Sequence, residues 1–178
     1  QAAPVEAPSD AGTAASAEAV PAAPGNAPVE AAGVVNEDLH AAAHEAATSP
    51  LNDRPEPTQA QKDAGNYKVG RVRIGGMDIS IENPQGSTRK GTSPDGTAWE
   101  TPMNHHYGYI RGTTANDGDK LDVFVKPDIA SDYSGPVFVV DQIDPKSGKL
   151  DEHKVILGAA DQAEAEAIYR SNYTKDWN

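Results

Sequence analysis

The composition of the chain changes near residue 48, and this change limits where a folded core can form. Residues 1–48 consist mainly of Ala, Pro, Glu, Ser and Gly, with few bulky apolar side chains. Such a segment buries too little apolar surface to offset the entropy of ordering its backbone. We therefore predict a disordered Ala/Pro-rich linker over residues 1–48 and one folded domain over residues 49–178. Within the linker, residues 36–47 could form a short helix capped by Asn36, too short to be stable alone.

The negative charge of the chain is concentrated in its first third. Residues 1–60 contain nine acidic residues and one basic residue, whereas residues 61–178 contain 18 and 14, within a formal net charge of −12. No basic run of the kind that binds nucleic acid occurs, and no apolar run approaches the roughly 20 residues of a membrane span. We therefore expect neither nucleic acid nor a membrane as a partner. With no cysteine in the chain, disulfides and thiolate metal sites are excluded.

Short strand patterns followed by a late helix predict the fold class. Two of these patterns, residues 67–74 and 77–82, are joined by Gly75-Gly76, which indicates a hairpin. The other predicted elements, in chain order, are strands over 107–112, 121–126, 135–143 and 153–157 and a helix over 160–172. Residues 83–103 are rich in Gly, Ser, Thr and Pro and are predicted to be a loop. This order predicts an α+β fold built around a β-barrel.

Three carboxylates lie within six residues of one another, immediately before and inside an apolar strand. They belong to the run Asp117-Gly118-Asp119-Lys120-Leu121-Asp122, which continues as Val123-Phe124-Val125. Neighbouring carboxylates repel one another, and a divalent cation is the usual reason for keeping them together. The alternative interpretation is a solvated acidic turn before a strand.

The wider context of this run resembles a known family. Upstream lies Tyr107-Gly108-Tyr109-Ile110, and downstream lies a second acidic cluster that ends in Glu152-His153-Lys154. Over about residues 80–175 this order and spacing resemble the soluble, Mg²⁺-dependent inorganic pyrophosphatases. The closest likeness is to a divergent branch found as a module in polyvalent proteins of bacteriophages and mobile elements. The resemblance implies a five-stranded, OB-like barrel with a C-terminal helix.

The resemblance also implies a metal centre. It makes Asp119 the base that orients or deprotonates the attacking water. The carboxylates that it implies as ligands for several Mg²⁺ ions, with Mn²⁺ as a possible substitute, are Glu82, Asp117, Asp122, Asp144, Glu152 and Asp151. Glu82 would bind an ion that arrives with the substrate. Asp122 would bridge two ions, and Asp151 competes with Glu152 for one position because the hairpin loop is longer than is typical of the family.

A further set of cations and phenols is implied as the binding site for the substrate's phosphate oxygens. This set comprises Arg89 or Lys90, Tyr107, Lys154, Tyr173 and Lys175. Two departures from the family pattern stand out. Lys120 lies where the family has Pro or an acid, and residues 91–106 contain no arginine for the second phosphate position, which Arg111 could fill from another strand.

The sequence therefore predicts Mg²⁺-dependent hydrolysis of inorganic pyrophosphate to two phosphates by a metal-activated water. One alternative keeps the fold and metals but acts on nucleotides or other small phosphoanhydrides. Another is a non-catalytic module of a phage or mobile-element polyprotein, although all the implied carboxylates are available here. Neighbouring domains of a longer polyprotein are the expected partners, and the expected location is the cytoplasm, that of the bacterial host if the chain is phage-encoded.

Overall fold

The computed structural model describes residues 36–93, 95–174 and 177, which form three helices and eight strands. All of them lie within Gly33–Asn178, one of two compact units into which the chain divides. The helices are α1 (Glu37–Glu45), α2 (Gln59–Asp63) and α3 (Gln162–Ser171). The strands are β1 (Gly70–Ile74), β2 (Met77–Asn83), β3 (Thr88–Thr92), β4 (Ala98–Pro102), β5 (His106–Ile110), β6 (Leu121–Val125), β7 (Val137–Ile143) and β8 (Leu150–Leu157).

Six of the strands form one sheet in the order β1-β2-β5-β6-β8-β7, and β3 and β4 form a separate pair. Neighbours in the large sheet are antiparallel except β6 and β8, which run parallel. The α+β class and the C-terminal helix are confirmed, but the predicted five-stranded barrel is wrong in strand number and closure. Within the described residues the sheet is open, because β1 and β7 are its two edges and do not pair with each other.

The segment predicted to be a loop, residues 83–103, contains a hairpin. Its strands β3 and β4 pair from Thr88 opposite Pro102 to Thr92 opposite Ala98. Most of their side chains are exposed or half-buried. A hairpin that buries so little apolar surface has no strong alternation in its sequence, which explains why the pattern did not reveal it.

The large sheet buries apolar side chains on both of its faces. One face packs Val123, Val125 and Ile79 into a core that also receives Leu39 of α1. The other face packs Phe124 and Ile156 against the buried side of α3. Alternation along each strand therefore places neighbouring residues in two different cores. Among the helices described, none is long and apolar enough to span a membrane.

Helix α1 is part of the folded structure, although the sequence assigned it to the linker. As predicted, Asn36 caps it, its side chain accepting a hydrogen bond from the Leu39 amide. Leu39 and Ala46 are completely buried. The predicted boundary at residue 48 therefore falls inside a packed region. The buried face of α1 consists mostly of small alanines, which can be buried when a strand packs closely against the helix. The remainder of the predicted linker, residues 1–35, lies outside the described residues.

Candidate active site

Four polar side chains on the α3 side of the sheet form a compact group, the Lys154 cluster: Tyr107, Asp122, Glu152 and Lys154. Strand register explains why they meet, since Asp122 on β6 lies opposite Lys154 on β8. Lys154 Nζ contacts Asp122 Oδ2, and lies 2.6 Å from Glu152 Oε1 and 3.2 Å from the Tyr107 hydroxyl. The Tyr107 hydroxyl donates to Asp122 Oδ2 at 2.5 Å. One buried ammonium group is therefore held by two carboxylates and a phenol.

The electrostatics of the cluster favour a charged lysine. Lys154 is completely buried, and burial opposes its charged form. The oxygens of Tyr107, Tyr173, Asp122 and Glu152 outweigh that effect and raise the pKa of Lys154 above its ordinary value. The pKa of Glu152 is raised by burial, an effect that Lys154 limits. The cluster therefore holds a charged lysine beside a carboxyl group whose pKa is raised.

A second cation reaches the cluster from the β3–β4 hairpin. The guanidinium carbon of Arg89 lies 4.2 Å from the ring centroid of Tyr107 and 5.4 Å from that of Trp99 on β4. Burial opposes the charge of Arg89, but Tyr107, Tyr173 and Asp122 raise its pKa. Lys154 lies 5.5 Å from the same Tyr107 centroid. Two cations thus flank one aromatic ring, an arrangement suited to binding the oxygens of a phosphate group.

Tyr173 joins this group after the end of α3. Its ring centroid lies 4.6 Å from that of Tyr169 and 5.9 Å from that of Phe124. It contributes to the raised pKa values of both Arg89 and Lys154. The aromatic contacts hold the phenol on the side of the sheet where the two cations lie.

Glu82 approaches the cluster from the end of β2. Burial raises the pKa of its carboxyl group, and repulsion from Asp122 raises it further. The Tyr67 hydroxyl donates to Glu82 Oε1 at 2.9 Å, and this bond, Arg89 and Lys120 all lower the pKa. Lys120 itself lies with its Nζ 5.1 Å from the ring centroid of Tyr109. The unusual lysine of the acidic run therefore faces the same region as Glu82.

The loop before β6 carries the other two acids of the run. Asp117 Oδ1 accepts a hydrogen bond from the Asp119 amide at 3.0 Å, and both side chains are exposed. Gly118 between them has φ +92°, a left-handed conformation that residues with a Cβ rarely adopt. Gly118 therefore turns the chain between the two acids.

The other predicted site residues lie farther from the cluster or have other partners. Asp144 is bonded within its own turn, to Ser147 at 2.6 Å and to the Lys146 amide at 2.9 Å, and these bonds lower its pKa. Asp151 accepts from Gln142 Nε2 at 2.9 Å, and the same nitrogen lies 3.4 Å from Glu152 Oε1.

Arg89 and Lys90, which the sequence left as alternatives, have different surroundings. Lys90 is exposed and lies 3.8 Å from Glu56, away from Tyr107, so Arg89 is the residue that reaches the cluster. Arg111, the candidate for the missing second arginine, lies 3.6 Å from Asp78, and its part in phosphate binding stays a prediction. Lys175 lies outside the described residues.

Carboxylates are the groups of this site that could hold a divalent cation. Within residues 36–93, 95–174 and 177, no three His, Asp or Glu side chains lie close enough together to hold a metal ion. Burial raises the pKa values of Glu82 and Glu152, however, and Asp122 repels both of them. Carboxylate oxygens are the ligands that Mg²⁺ prefers, and a cation would relieve this repulsion. The donor chemistry of Glu82, Asp122 and Glu152 therefore suits a divalent cation, although in this structure the described carboxylates are not grouped closely enough to hold one.

Three contributors to the site were not predicted from the sequence. Tyr67 binds the Glu82 carboxylate, Gln142 binds Asp151, and Trp99 lies beside Arg89. Tyr67 and Gln142 belong to no motif, so only their contacts identify them. Trp99 lies opposite Gly91 in the hairpin that the sequence did not predict.

Carboxylates beside two cations and several phenols are the groups expected in a hydrolase that acts on phosphate compounds. A family model described as Inorganic Pyrophosphatase matches residues 59–178. The chain therefore belongs to the inorganic pyrophosphatase family, which confirms the resemblance at the level of the family. The likeness to a phage and mobile-element branch stays a prediction. Comparisons with curated proteins and with solved structures give no match.

Proposed function

We propose that the chain hydrolyses inorganic pyrophosphate to two phosphates and requires Mg²⁺, which Mn²⁺ can replace. The observation that carries this proposal is the convergence of Arg89, Lys154 and Tyr107 beside Asp122 and Glu152 in a chain of this family. The cations neutralise substrate charge, and the carboxylates supply ligands for the metal.

Glu82, Asp122 and Glu152 are the proposed core of the metal site, with Asp117, Asp144 and Asp151 as further ligands from the surrounding loops. Bound there, Mg²⁺ would neutralise phosphate charge and lower the pKa of a nearby water. Tyr107 and Lys154 orient Asp122 through their contacts with Oδ2. Asp117 and Asp144 lie in exposed turns. Their hydrogen bonds to the Asp119 amide and to the Ser147 hydroxyl are also exposed, so either carboxylate could turn toward a cation.

Asp119 is the proposed general base. Its side chain is exposed on the loop before β6, where it can accept a proton from the attacking water. The water oxygen forms a bond to one phosphorus, the bond from that phosphorus to the bridging oxygen breaks, and the electron pair leaves with the second phosphate. Arg89 and Tyr173 would donate hydrogen bonds to the phosphate oxygens, and Lys154 and Tyr107 would do so by exchanging one of their present contacts for a phosphate oxygen.

The setting of this reaction is also a proposal. Removal of pyrophosphate draws nucleotide polymerisation toward completion, so a cytoplasmic role beside polymerising enzymes suits the activity. Neighbouring domains of a longer polyprotein are the proposed partners.

The test is phosphate release by the full chain from pyrophosphate, nucleoside triphosphates and tripolyphosphate, each with Mg²⁺, with Mn²⁺ and with a chelator. We expect release from pyrophosphate that needs the metal and exceeds release from the other substrates. Faster release from a nucleotide would replace the substrate assignment. No release from any of them would favour a non-catalytic module.

A further inference from the structure

Glu82 lies at a break in the β-sheet ladder. On β2, Ile81 pairs with Gly108 and Asn83 pairs with Tyr107, so the register with β5 shifts at Glu82. On the other side of β2, the pairing with β1 ends at Ile81, opposite Gly70. Glu82 therefore has no partner of its own in the ladder on either side, although Ile81 and Asn83 next to it are paired, and contacts from outside the ladder can help to position its carboxylate.

Two side chains from earlier in the chain supply those contacts. The Thr48 hydroxyl donates to the backbone carbonyl oxygen of Glu82. The Tyr67 hydroxyl donates to Glu82 Oε1 at 2.9 Å. One bond thus holds the main chain and the other holds the carboxylate, from positions 34 and 15 residues away in the sequence.

The docking of α1 places Thr48 beside Glu82. A Cβ on Gly70 would lie 1.9 Å from the carbonyl oxygen of Ala42, so β1 accepts α1 at this distance only because it has a glycine there. Beyond α1, the Ala47 amide donates to the Lys68 carbonyl at 2.9 Å. The residue next to Thr48 is therefore tied to the residue next to Tyr67. Thr48 precedes the residues matched by the family model, 59–178.

We propose that residues 36–68 form a positioning arm that holds Glu82 in the orientation needed to bind a divalent cation, with Thr48 and Tyr67 as its positioning residues. This inference rests on the proposed function, since it assumes that Glu82 is a metal ligand. Hydrogen-bond partners of a ligand orient it before the metal arrives, and their loss typically weakens metal binding or activity by 10- to 100-fold. The part of the arm before residue 59 lies outside the residues that the family model matches.

The experiment compares full-chain variants that lose one hydroxyl each. Thr48→Val and Tyr67→Phe remove the two bonds to Glu82. Thr58→Val removes a hydroxyl from the same arm that caps α2 and does not contact Glu82. Tyr133→Phe removes a phenol that donates instead to the Pro136 carbonyl at 2.7 Å. Thr48→Ser keeps the hydroxyl.

Two quantities are measured for each variant: the dissociation constant of Mg²⁺ by calorimetry, both without substrate and with inorganic phosphate present, and the Mg²⁺ concentration that gives half-maximal pyrophosphate hydrolysis. We expect Tyr67→Phe to raise both by about 10-fold or more, and Thr48→Val to raise both by a smaller factor. The two controls and Thr48→Ser should match the wild type. Unfolding curves recorded without Mg²⁺ show whether any variant has lost its fold.

The outcomes separate this inference from the proposed function. If the wild type binds Mg²⁺ but does not hydrolyse pyrophosphate, the proposed function fails while the calorimetry still tests the arm. If the wild type is active and both substitutions leave Mg²⁺ binding at the wild-type value, the arm is refuted and the function stands. Equal weakening by the controls would also refute it, because a general loss of packing would then be the cause. Absence of Mg²⁺ binding by the wild type overturns both.

Discussion

At the scale of single residues, Lys154 shows which site contacts a sequence can reveal. It follows Glu152 by two positions, and residues two apart on a strand face the same side, so their 2.6 Å contact is implied by local geometry. The contacts of Lys154 with Asp122 and Tyr107 depend instead on how β5, β6 and β8 pair. No pattern within a few residues of the sequence predicts how these three strands pair.

The roles of Asp119 and Asp122 can be separated by replacing each with asparagine. Asp119→Asn removes the oxygen that would accept the proton of the water, so turnover should fall by ~10²- to 10⁴-fold with Mg²⁺ affinity little changed. Asp122→Asn should weaken Mg²⁺ binding strongly, because a proposed bridging ligand loses its charge. Turnover and calorimetric Mg²⁺ affinity are measured for both, with the exposed Asp132→Asn as the control. Equal effects on Mg²⁺ affinity would refute the assigned roles.

His106 should make stability depend on pH in the acidic range. It is 4% exposed, and burial lowers its pKa from 6.5 to about 4. As the pH falls, His106 is protonated in the unfolded chain before it is protonated in the folded chain. The contribution of neutral His106 to the free energy of unfolding is therefore complete above about pH 6.5 and is lost as the pH falls toward 4. The loss amounts to about 3 kcal/mol.

The matched variant is His106→Asn. In the wild type the Gln85 amide donates to His106 Nδ1 at 3.0 Å, and the asparagine side chain keeps an acceptor for this bond. Urea unfolding between pH 7 and pH 4 should show a shallower decline in the free energy of unfolding for this variant than for the wild type. Parallel declines would show that His106 is not the group responsible.

At the scale of elements, predictability follows how much of each strand is buried. Strand β6 has three consecutive buried residues after its acidic start, and its pattern predicted it well. The β3–β4 hairpin lacks that signal, yet it brings Arg89 to the Lys154 cluster. Helix α1 was predicted as a helix but not as a packed one, because its apolar face is mostly alanine.

The contribution of α1 to stability can be measured at Leu39, which is completely buried in the core beneath the sheet. Leu39→Ala should lower the free energy of unfolding by about 2 to 5 kcal/mol, because it removes buried methyl groups and leaves a cavity. Leu51 is 73% exposed and provides the control. Leu51→Ala should change the free energy of unfolding by less than about 0.5 kcal/mol. Equal effects in urea unfolding would mean that α1 is not docked in solution.

At the scale of the whole molecule, the start of the folded unit can be located by shortening the chain. A chain that begins at residue 36 should unfold at the same temperature as the full chain, because residues 1–35 have the composition of a linker. A chain that begins at residue 49 loses α1 and Thr48 and should unfold at a clearly lower temperature. Thermal unfolding of the three chains checks this, and equal midpoints would restore the boundary at residue 48.

The sequence by itself determined the family, the α+β class, most strand positions and the carboxylates, cations and phenols from which the site is drawn. These features are local, since a motif, an alternation or an acid-rich turn can be read within a few residues. The tertiary structure alone decided that the sheet is open, that Arg89 rather than Lys90 reaches Tyr107, and that Thr48 and Tyr67 hold Glu82. Each of these depends on strand register or on docking between distant segments, whose free energy comes from contacts that exist only once the chain has folded.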